Sequence, residues 1–593
     1  MPYIFETNKS LHTTFGIPAK ASYYTEFSSL KELKEIVATD VFQNNEVFII
    51  GEGSNLIFLK DYNGLVIHSN IKGITRYDKD ETTAFAIAGS GENWNDLVSW
   101  AISENLAGIE NLAGIPGNAG AAAVQNIGAY GAEVSEVLHN VECYDVIENK
   151  VVTLTNEECQ YGYRDSIFKN EGKGRYIVLR ISLRLKKTTK PEKLSYSSLK
   201  ALKDEKNITI ADVADEVKKI RDSKLPDPKV LGNAGSFFKN PVVHWYYFQE
   251  AIKSLCPDIP SYPTDSPYYV KVPAAWLIEK SGLSGFQIGD AAVYDRHSLI
   301  IVNKGDASGE DVEHLANHII ETVRKKFGIV LQTEVNLIDT LIKVTILGSG
   351  TSKGIPEVGC NCRVCISDDE KDKRLRASAL IETQGVKLLI DASPDFRQQA
   401  LKYHIYSADA LLITHSHYDH VGGIDDLRPF CATGKFPVFL KKDVNEDLHR
   451  RIDYCFRDEL YPGVPSFKTM EVVDKPFYFK GLKIIPIVVN HGKLPILGFR
   501  IGDFAYITDA KTIDEGELEK LKGVKVLVLN ALREREHFAH LSISEAEEII
   551  ARIKPEKTYL THFCHEIGLH KEVEDSLPDN IYPCYDGLKF TVE

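Results

Sequence analysis

The sequence has no long hydrophobic run, and no stretch approaches the roughly 20 apolar residues of a membrane-spanning helix. Its first nine residues, Met1 to Lys9, lack the apolar core of a signal peptide. The ten cysteines are too unevenly distributed for a disulfide framework, and there are no repeats and no low-complexity linker. These absences predict a cytoplasmic protein that has no membrane partner.

The composition is that of an ordinary globular protein, with 43% hydrophobic and 26% charged residues. A formal net charge of −14 argues against a nucleic-acid partner, because an acidic surface repels a phosphate backbone. The length of 593 residues implies roughly four domains at about 150 residues each, so at least two functional units are expected. None of these quantities indicates the oligomeric state.

The most informative motif is the heptapeptide that begins at Thr414, directly after an apolar stretch. Its candidate metal ligands are His415, His417, Asp419 and His420. The first two alternate on an extended backbone and can face one ion, whereas the last two follow the turn and can face a second ion. Three later predicted strands end in further candidates, at His491, Asp509 and His562. A polar loop that contains histidines by coincidence is the alternative, and these strand ends disfavour it.

The order HxHxDH followed by His, Asp and His resembles the metallo-β-lactamase superfamily of hydrolases, whose αββα sandwich carries its metal site along one edge. The resemblance implies two divalent ions, zinc or manganese. It assigns the first ion to His415, His417 and His491, the second to Asp419, His420 and His562, and a bridging position to Asp509. Such a pair of ions makes hydroxide available as a nucleophile at neutral pH.

A second cluster consists of Cys360, Cys362 and Cys365, which have zinc-knuckle spacing but lack a fourth ligand. His565 is a candidate for that ligand, which would complete a structural zinc site. Within the superfamily, CxCxxC together with a late HxxH looks most like the cyclic-phosphate phosphodiesterase of the carbon–phosphorus lyase pathway. Free thiols in a reducing cytosol are the alternative.

The same resemblance implies that His540 protonates the leaving oxygen, whereas His537 and His570 are expected at the solvated surface. Two rival interpretations of this half remain. One is a transfer-RNA-processing nuclease of the same superfamily, which the absence of an obvious basic arm disfavours. The other is an inactive interaction module, which the complete ligand set disfavours.

The half before residue 340 is punctuated by glycine-rich loops between short apolar strands. One loop follows the predicted strand Val47 to Ile50, and a longer one begins at Gly114. Small residues let backbone amides approach a ligand closely, as in uncharged pyrophosphate-binding loops. Tight turns alone explain either loop equally well.

Together with the segment from Gln125 to Gly131, these loops resemble the UDP-N-acetylenolpyruvoylglucosamine reductase family. The resemblance extends over about residues 1–339 and includes an arginine motif, Tyr161 to Lys169, and a serine region, Gly232 to Pro241. That family binds FAD non-covalently in a vanillyl-alcohol-oxidase-type fold and supplies UDP-N-acetylmuramate for bacterial peptidoglycan. The resemblance implies that FAD is held by Gly51, Gly53, Ser54, Asn55, Gly117, Gly120, Gln125, Asn126 and Gly128.

In this family hydride passes from NADPH through the flavin to the enolpyruvyl double bond. The resemblance assigns Arg164 and Glu334 to stabilisation of the resulting enolate and Ser236 to delivery of the proton, although Thr333 stands where relatives usually have proline. It assigns the nucleotide sugar to Tyr196, Lys224, Asn240 and Gln287. The alternatives are an ion pair of Arg164 with Asp165 or another neighbour, and a flavin oxidase of the same fold.

We therefore expect a bifunctional α+β enzyme that acts on small molecules, namely a UDP-sugar, NADPH and a phosphodiester. The predicted domains are two FAD-binding subdomains (1–75 and 76–222), a substrate-binding domain (223–339) and a metallo-β-lactamase-fold hydrolase domain (341–593). The sequence does not indicate which phosphodiester is the substrate or whether the two active sites are coupled.

Overall fold

The computed structural model describes residues 4–196, 199–200, 202, 207–264, 266–431, 434–457 and 463–592. The chain forms two compact units, Met1–Asp339 and Thr340–Glu593. Among the helices in these ranges, none is long and apolar enough to cross a bilayer.

The first unit contains both strands and helices. Its strands are β1 (Glu6–Leu11), β2 (Ala19–Phe27), β3 (Val47–Ile50), β4 (Leu56–Phe58), β5 (Tyr62–Ser69), β6 (Ile74–Asp78), β7 (Thr83–Gly89), β8 (Leu106–Ala107), β9 (Gly128–Ala129), β10 (Ala132–Glu133), β11 (Leu138–Asp145), β12 (Lys150–Thr155), β13 (Tyr176–Lys187), β14 (Gly232–Ser236), β15 (Val242–His244), β16 (Tyr262–Pro263), β17 (Tyr269–Lys271), β18 (Gln287–Ile288), β19 (Ala291–Val293), β20 (Ile300–Asn303) and β21 (Asn336–Ile338). Its helices are α1 (Leu30–Val37), α2 (Asp40–Asn44), α3 (Trp94–Ser103), α4 (Ala119–Gln125), α5 (Ile210–Lys224), α6 (Trp245–Tyr247), α7 (Lys253–Leu255), α8 (Ala274–Lys280) and α9 (Gly309–Phe327).

These strands form several separate sheets. The orders are β1-β2-β5-β3, then β12-β11-β13-β7-β6 with β8 beside β13, then β14-β20-β19-β18 and β15-β17-β16. The end of the unit returns to its beginning, because β21 pairs in parallel with β4 and Asn336 lies opposite Leu56. This pairing brings the segment before β21 beside the loop after β3.

Helix α4 packs unusually closely against its neighbours because it consists of alanine and glycine up to its last turn. A Cβ atom on Gly120 would lie 2.8 Å from the Cβ of Ser90, so no larger side chain fits at this position. The helix ends at Asn126, whose φ of 47° is left-handed, a conformation that asparagine tolerates better than most residues. Gln125 is thereby presented at the end of a buried helix.

The second unit also contains both kinds of element. Its strands are β22 (Ile342–Gly348), β23 (Ser378–Thr383), β24 (Val386–Ile390), β25 (Ala410–Leu412), β26 (Phe436–Leu440), β27 (Phe467–Glu471), β28 (Phe477–Phe479), β29 (Leu482–His491), β30 (Leu494–Ile501), β31 (Phe504–Ile507), β32 (Thr512–Ile513), β33 (Val526–Asn530), β34 (Lys557–Thr561), β35 (Ile581–Pro583) and β36 (Lys589–Val592). Its helices are α10 (Phe396–Lys402), α11 (Tyr418–Val421), α12 (Lys442–Arg451), α13 (Glu515–Glu519), α14 (Ile543–Ile553) and α15 (His570–Ser576).

These strands form two sheets that face each other. The orders are β27-β26-β25-β24-β23-β22-β36 and β28-β29-β30-β31-β33-β34-β35, with β32 beside β29. Side chains from both sheets, such as Leu388 and Phe499, form the central core. Helices α10 and α12 cover the outer face of the first sheet, and α13, α14 and α15 cover that of the second. The predicted αββα sandwich is confirmed.

The expectation that His570 lies at the solvated surface is wrong. Its side chain is 2% exposed, its N–H donates to Asp372 Oδ1 at 2.6 Å, and its Nδ1 lies 3.2 Å from Arg374 Nη2. Burial, followed by the charge of Arg374, lowers the pKa of His570 to about 4. Its polar neighbours in sequence suggested exposure, but the segment that covers it lies almost 200 residues earlier.

Candidate active sites

In the second unit the candidate metal ligands converge at the ends of their strands. His415, His417 and His491 each offer an atom within 4.8 Å of the others, and so do His415, His420 and Asp509, and also Asp419, Asp509 and His562. Most of these side chains are buried, but His417 is exposed, so the cluster opens to solvent at His417. The sequence-predicted ligand set is therefore gathered in one place.

The carboxylate of Asp509 lies between two groups of histidines. Its Oδ1 is 3.1 Å from His562 Nδ1 and 3.4 Å from His420 Nε2, whereas its Oδ2 is 3.9 Å from His415 Nε2. One carboxylate that directs its two oxygens to different sets of imidazoles has the geometry of a bridging ligand.

The histidine nitrogens that face this cluster are free to bind a metal. His415 Nε2 and His420 Nε2 are buried and have no hydrogen-bond partner among the described atoms. His491 Nδ1 lies 3.0 Å from the carbonyl oxygens of Asp509 and Ala539, so it donates its proton there and leaves Nε2 available. Buried nitrogens without partners fit a metal site, because such atoms are costly to leave unbonded.

The electrostatics of the site also fit a bound cation. Burial lowers the pKa of His415 well below its usual value, so its imidazole is neutral, as metal ligation requires. Burial also opposes charge on His420, but Asp509 and Asp391 outweigh it and raise the pKa of that imidazole. A divalent ion would supply the positive charge that these carboxylates otherwise obtain from a proton.

A further layer of residues holds these ligands in place. Asp391 accepts from His420 Nδ1 at 2.6 Å and from the N–H and Oγ1 of Thr414 at 2.8 Å. Asn530 bonds both backbone groups of Ala510, the residue after Asp509. The sequence analysis did not identify Asp391 and Asn530. Each stands at the end of an apolar strand, and that position could have indicated them.

Three residues of the cluster and its support have a strained backbone. Asp391, Asp509 and His562 have φ angles of 58°, 56° and 64°, which are uncommon for residues other than glycine. Each such residue costs of order 1–3 kcal/mol and persists only where its surroundings fix it. The hydrogen bonds and strand pairing around the cluster provide that constraint.

His540 lies inside this cluster and not at its periphery. Its Nδ1 is buried without a hydrogen-bond partner, 3.9 Å from Asp509 Oδ2, and its ring centroid is 4.6 Å from that of His491. With His491 and Asp509 it forms a further group of metal-ligand spacing. Burial, followed by the charge of His562, lowers the pKa of His540 to about 3, so the imidazole is neutral at pH 7.

His537, expected at the solvated surface, is partly buried beside this cluster. Its ring centroid lies 5.1 Å from that of His540, and its Nδ1 accepts from the N–H of Ala539 at 3.2 Å. The nitrogen that accepts cannot carry a proton, so a neutral His537 presents Nε2–H as a donor. The sequence signal was the spacing of three residues between His537 and His540, which the expectation of a solvated surface position did not use.

The three cysteines and His565 form a second, separate cluster. His565 Nδ1 lies 3.2 Å from Cys360 Sγ, 3.6 Å from Cys362 Sγ and 3.4 Å from Cys365 Sγ. Its other nitrogen, Nε2, is 3.5 Å from Glu357 Oε2, which fixes the tautomer that leaves Nδ1 free. Backbone N–H groups, that of Cys365 first, lower the pKa of Cys362 to about 7, which favours a thiolate. All ten cysteines of the chain are free of disulfide bonds.

In the first unit the candidate catalytic residues are centred on Arg164. Its Nε donates to Glu334 Oε1 at 2.8 Å, its Nη1 to Asn126 O at 3.4 Å, and its Nη2 to Gly128 O. Ser236 ends β14, and the next carbonyl, that of Phe237, accepts from the N–H of Glu334. The structure thus brings Arg164, Glu334 and Ser236 to one region.

The two glycine-rich loops lie against each other. Ser54 Oγ donates to the carbonyl of Pro116 at 3.2 Å, and a Cβ on Gly51 would lie 2.6 Å from Asn118 Oδ1. Gly53 and Gly117 have φ angles of 68° and 120°, which side chains other than hydrogen disfavour. The loops therefore depend on glycine for both conformation and close approach.

The protein itself uses some of the amides expected to face a cofactor. The N–H of Gly117 donates to Glu52 Oε2 at 3.2 Å, and that of Gly120 donates to Ser90 O at 2.9 Å. Asn55 Nδ2 donates to Glu334 O at 3.4 Å, which connects the first loop to the catalytic segment. Gly117 and Gly120 thus contribute close packing in this structure, and not free amides.

Some polar atoms near these loops remain without a partner. Asn118 Oδ1 and Gln125 Nε2 are buried and have no hydrogen-bond partner among the described atoms. The side chain of Asn126, by contrast, forms hydrogen bonds with Glu133, Gly162 and Ser135. Unpartnered buried atoms beside two tight glycine loops fit a bound cofactor.

The four candidate residues for the nucleotide sugar come from different segments of the first unit. Tyr196 packs edge-on against Tyr130, with ring centroids 5.5 Å apart, and Asn240 Oδ1 accepts from the N–H of Ala274. Lys224 ends helix α5. Gln287 lies on β18, at the opposite edge of the sheet from β14, and the three intervening strand spacings separate them by roughly 14 Å.

Two aromatic and cationic neighbours were missed by sequence reasoning. Lys271 Nζ lies 3.7 Å from the ring centroid of Tyr163, and the guanidinium of Arg164 lies 5.2 Å from the same centroid. Tyr163 stands inside the arginine motif, so its position was a usable signal. Lys271 carries no local motif, and only the pairing of β17 in its sheet reveals its place.

Comparison with known families divides the chain into parts. Residues 21–155 match a family described as FAD binding domain, and residues 227–338 match the UDP-N-acetylenolpyruvoylglucosamine reductase C-terminal domain. Residues 387–563 match the beta-lactamase superfamily domain. The first two matches end before residue 340 and the third begins after it.

Individual relatives show the same division. The UDP-N-acetylenolpyruvoylglucosamine reductase of Neisseria gonorrhoeae is 43% identical over 346 residues, which are 57% of this chain and 98% of that protein. The structure of a diphosphatase from the PhnP family is 35% identical and covers 43% of this chain and 98% of its own, with a TM-score of 0.40. The reductase structure from Thermus caldophilus is 24% identical and covers 56% and 99%, with a TM-score of 0.39.

Proposed function

This chain belongs to the UDP-N-acetylenolpyruvoylglucosamine reductase family, and we propose that its first unit reduces UDP-N-acetylenolpyruvoylglucosamine while its second unit is a metal-dependent phosphodiesterase. The predicted fusion of an FAD-binding fold with a metallo-β-lactamase fold is confirmed. The division of the first unit into 1–75, 76–222 and 223–339 is part of the proposal.

The ion pair between Arg164 and Glu334 is the observation that carries the reductase assignment. FAD, when bound, would supply the hydride transfer from NADPH to the substrate. Arg164 then stabilises the negative charge that develops on the substrate carboxylate, and Glu334 orients the guanidinium. Ser236, on the adjacent backbone, holds the proton that the enolate carbon receives.

The glycine loops around Gly51, Gly53, Ser54 and Asn55 support the placement of FAD in the first unit, together with the unpartnered Gln125 Nε2. Tyr196, Lys224 and Asn240 are proposed to bind the nucleotide sugar, with Lys224 as a point charge for the diphosphate. Gln287, on β18, is proposed to bind the same substrate.

Substrate-dependent NADPH oxidation by the purified protein tests the reductase assignment. We expect a yellow protein that oxidises NADPH only when UDP-N-acetylenolpyruvoylglucosamine is present and forms UDP-N-acetylmuramate, identified by mass spectrometry. Oxygen consumption without the enolpyruvyl substrate would instead identify a flavin oxidase.

The bridging geometry of Asp509 carries the hydrolase assignment. Two divalent ions, zinc or manganese, would supply Lewis-acid activation of a phosphodiester. The proposed ligands are His415, His417 and His491 for one ion and Asp419, His420 and His562 for the other. Cys360, Cys362, Cys365 and His565 would hold a structural zinc, for which four closely spaced ligands leave no open position.

His540 is proposed to protonate the leaving oxygen. Burial holds the pKa of its imidazole at about 3, and an anionic phosphodiester beside it would favour the protonated form that an acid requires. The exposed side of His417 gives such a substrate access to the cluster.

Elemental analysis together with a phosphodiester screen tests the hydrolase assignment. We expect about three metal ions per chain and metal-dependent cleavage of bis-p-nitrophenyl phosphate, with transfer RNA as the comparison substrate. One ion or none in chelator-free protein, and no activity after Mn²⁺ or Zn²⁺ is added, would refute it. Cleavage of transfer RNA alone would favour a nuclease.

A further inference from the structure

Lys169 is a partly buried lysine that the proposed reductase chemistry does not use. It ends the arginine motif and lies five residues after Arg164. Its Nζ donates to Gln125 Oε1 at 3.0 Å and to the carbonyl oxygen of Arg164 at 2.9 Å. Burial, followed by the charge of Lys239, lowers its pKa to about 8.

The contact with Lys169 determines which way the amide of Gln125 faces. An ammonium group has only donors, so Gln125 must turn its carbonyl oxygen toward Lys169. The amide nitrogen then faces away, and this Nε2 is buried with no hydrogen-bond partner among the described atoms. A buried N–H group without an acceptor is unfavourable unless a ligand supplies one.

The contact with Arg164 fixes a strained backbone. Arg164 has a φ of 55°, in the left-handed region that a long side chain rarely adopts. Lys169 bonds the carbonyl of this residue, while the guanidinium of the same residue bonds Glu334. One lysine therefore anchors the backbone from which the catalytic arginine projects.

We propose that Lys169 is a positioning residue of the reductase, which directs the amide N–H of Gln125 to an acceptor atom of the flavin and at the same time fixes the backbone of Arg164. This inference rests on the proposed FAD site. Lys169 touches neither substrate nor flavin in this scheme, and it acts only through Gln125 and Arg164. The flavin and the Arg164–Glu334 pair are thereby held in a fixed relation.

FAD binding to the full-length apoprotein, measured by fluorescence, tests the first part of the proposal. Lys169→Met removes the donor at similar length, and Gln125→Ala removes the amide. We expect each to weaken FAD binding by about tenfold, the usual worth of one hydrogen bond, and the double variant to weaken it by the same tenfold. Lys150→Met, an exposed lysine on β12, is the matched control that changes nothing.

Three outcomes would overturn the proposal. The first is a roughly hundredfold, additive loss of FAD affinity in the double variant. The second is unchanged FAD affinity in Lys169→Met together with a lowered melting temperature. The third is a raised substrate KM in Lys169→Met together with unchanged FAD affinity. If Lys169→Met fails to fold, Lys169→Arg keeps a donor and should retain FAD affinity to within about threefold, whereas a tenfold loss would count against the proposal.

The flavin midpoint potential and a split of the kinetics test the second part. We expect Lys169→Met to shift the flavin midpoint potential and to lower kcat with little change in the KM for NADPH. Arg164 acts only in the second half-reaction, so its displacement should not affect the reaction with NADPH. An unaltered potential and kcat would refute this part. Because FAD affinity and potential are measured without the enolpyruvyl substrate, they remain decisive even if the wild-type protein reduces a different compound.

Discussion

The backbone N–H of Glu334 donates to the carbonyl oxygen of Phe237 at 2.8 Å. This bond places Glu334 beside the end of β14, where Ser236 stands, while its carboxylate pairs with Arg164, 170 residues earlier in the chain. Three groups from distant parts of the sequence thus meet at one point.

Ser236→Ala should leave the protein yellow and still allow NADPH to bleach the flavin, while turnover of UDP-N-acetylenolpyruvoylglucosamine falls by roughly 10²-fold or more. The reason is that the proton is needed only in the second half-reaction. Stopped-flow absorbance separates the two steps. Ser223→Ala, on the exposed last turn of α5, is the control, and an unchanged steady-state rate in Ser236→Ala would remove the serine from the mechanism.

Asp509→Ala should abolish hydrolysis of bis-p-nitrophenyl phosphate and lower the metal content, because one carboxylate faces both groups of histidines. His417→Ala should act in the same direction. Elemental analysis of the same preparations provides the measurement. Asp503→Asn, in the exposed turn before β31, should alter neither property, and full metal content with full activity in Asp509→Ala would contradict the bridging role.

Cys362→Ser should lower thermal stability and remove about one zinc ion, with a smaller effect on phosphodiester cleavage. A closed four-ligand site contributes folding free energy and does not offer a position for substrate. Calorimetry and zinc analysis measure the effect, with Cys431→Ser as the comparison because that thiol lies outside the cluster. Loss of activity with unaltered stability and zinc would be the opposite result.

His540→Ala should retain all metals and slow phosphodiester cleavage by roughly 10²–10⁴-fold, the range for a lost general acid. A substrate with a leaving group that needs no proton should be cleaved nearly as fast as by the wild type. His449→Ala, at an exposed position of helix α12, is the control. Loss of a metal ion would show that His540 is a ligand, as its spacing from His491 and Asp509 also permits.

A shortened chain that ends at Asp339 should bind FAD and keep reductase activity, because the first unit has its own cores and its own proposed site. Its activity should lie within about twofold of the full-length protein, since Arg164, Ser236 and Glu334 all belong to it. Steady-state kinetics and flavin absorbance measure this. An insoluble or colourless product would show that the units depend on each other and that the boundary is misplaced.

The sequence by itself determined the types of chemistry in this protein. The HxHxDH motif and the later strand-end residues indicated a metal cluster, because ligand type and strand periodicity are local properties. The glycine loops and the arginine motif indicated a flavin reductase only through their combined resemblance to a known family, since tight turns explain either loop alone. The cysteine spacing indicated a knuckle whose fourth ligand had to come from elsewhere.

Only the tertiary structure decided how those groups are supported. Asp391 behind His420, Glu357 behind His565 and the burial of His570 all depend on contacts between segments far apart in sequence, which no local pattern encodes. The same holds for Lys169, whose place between Gln125 and Arg164 follows from the packing of its segment against the end of α4. Side-chain chemistry is local, whereas burial and hydrogen-bond partnership exist only once the chain has folded.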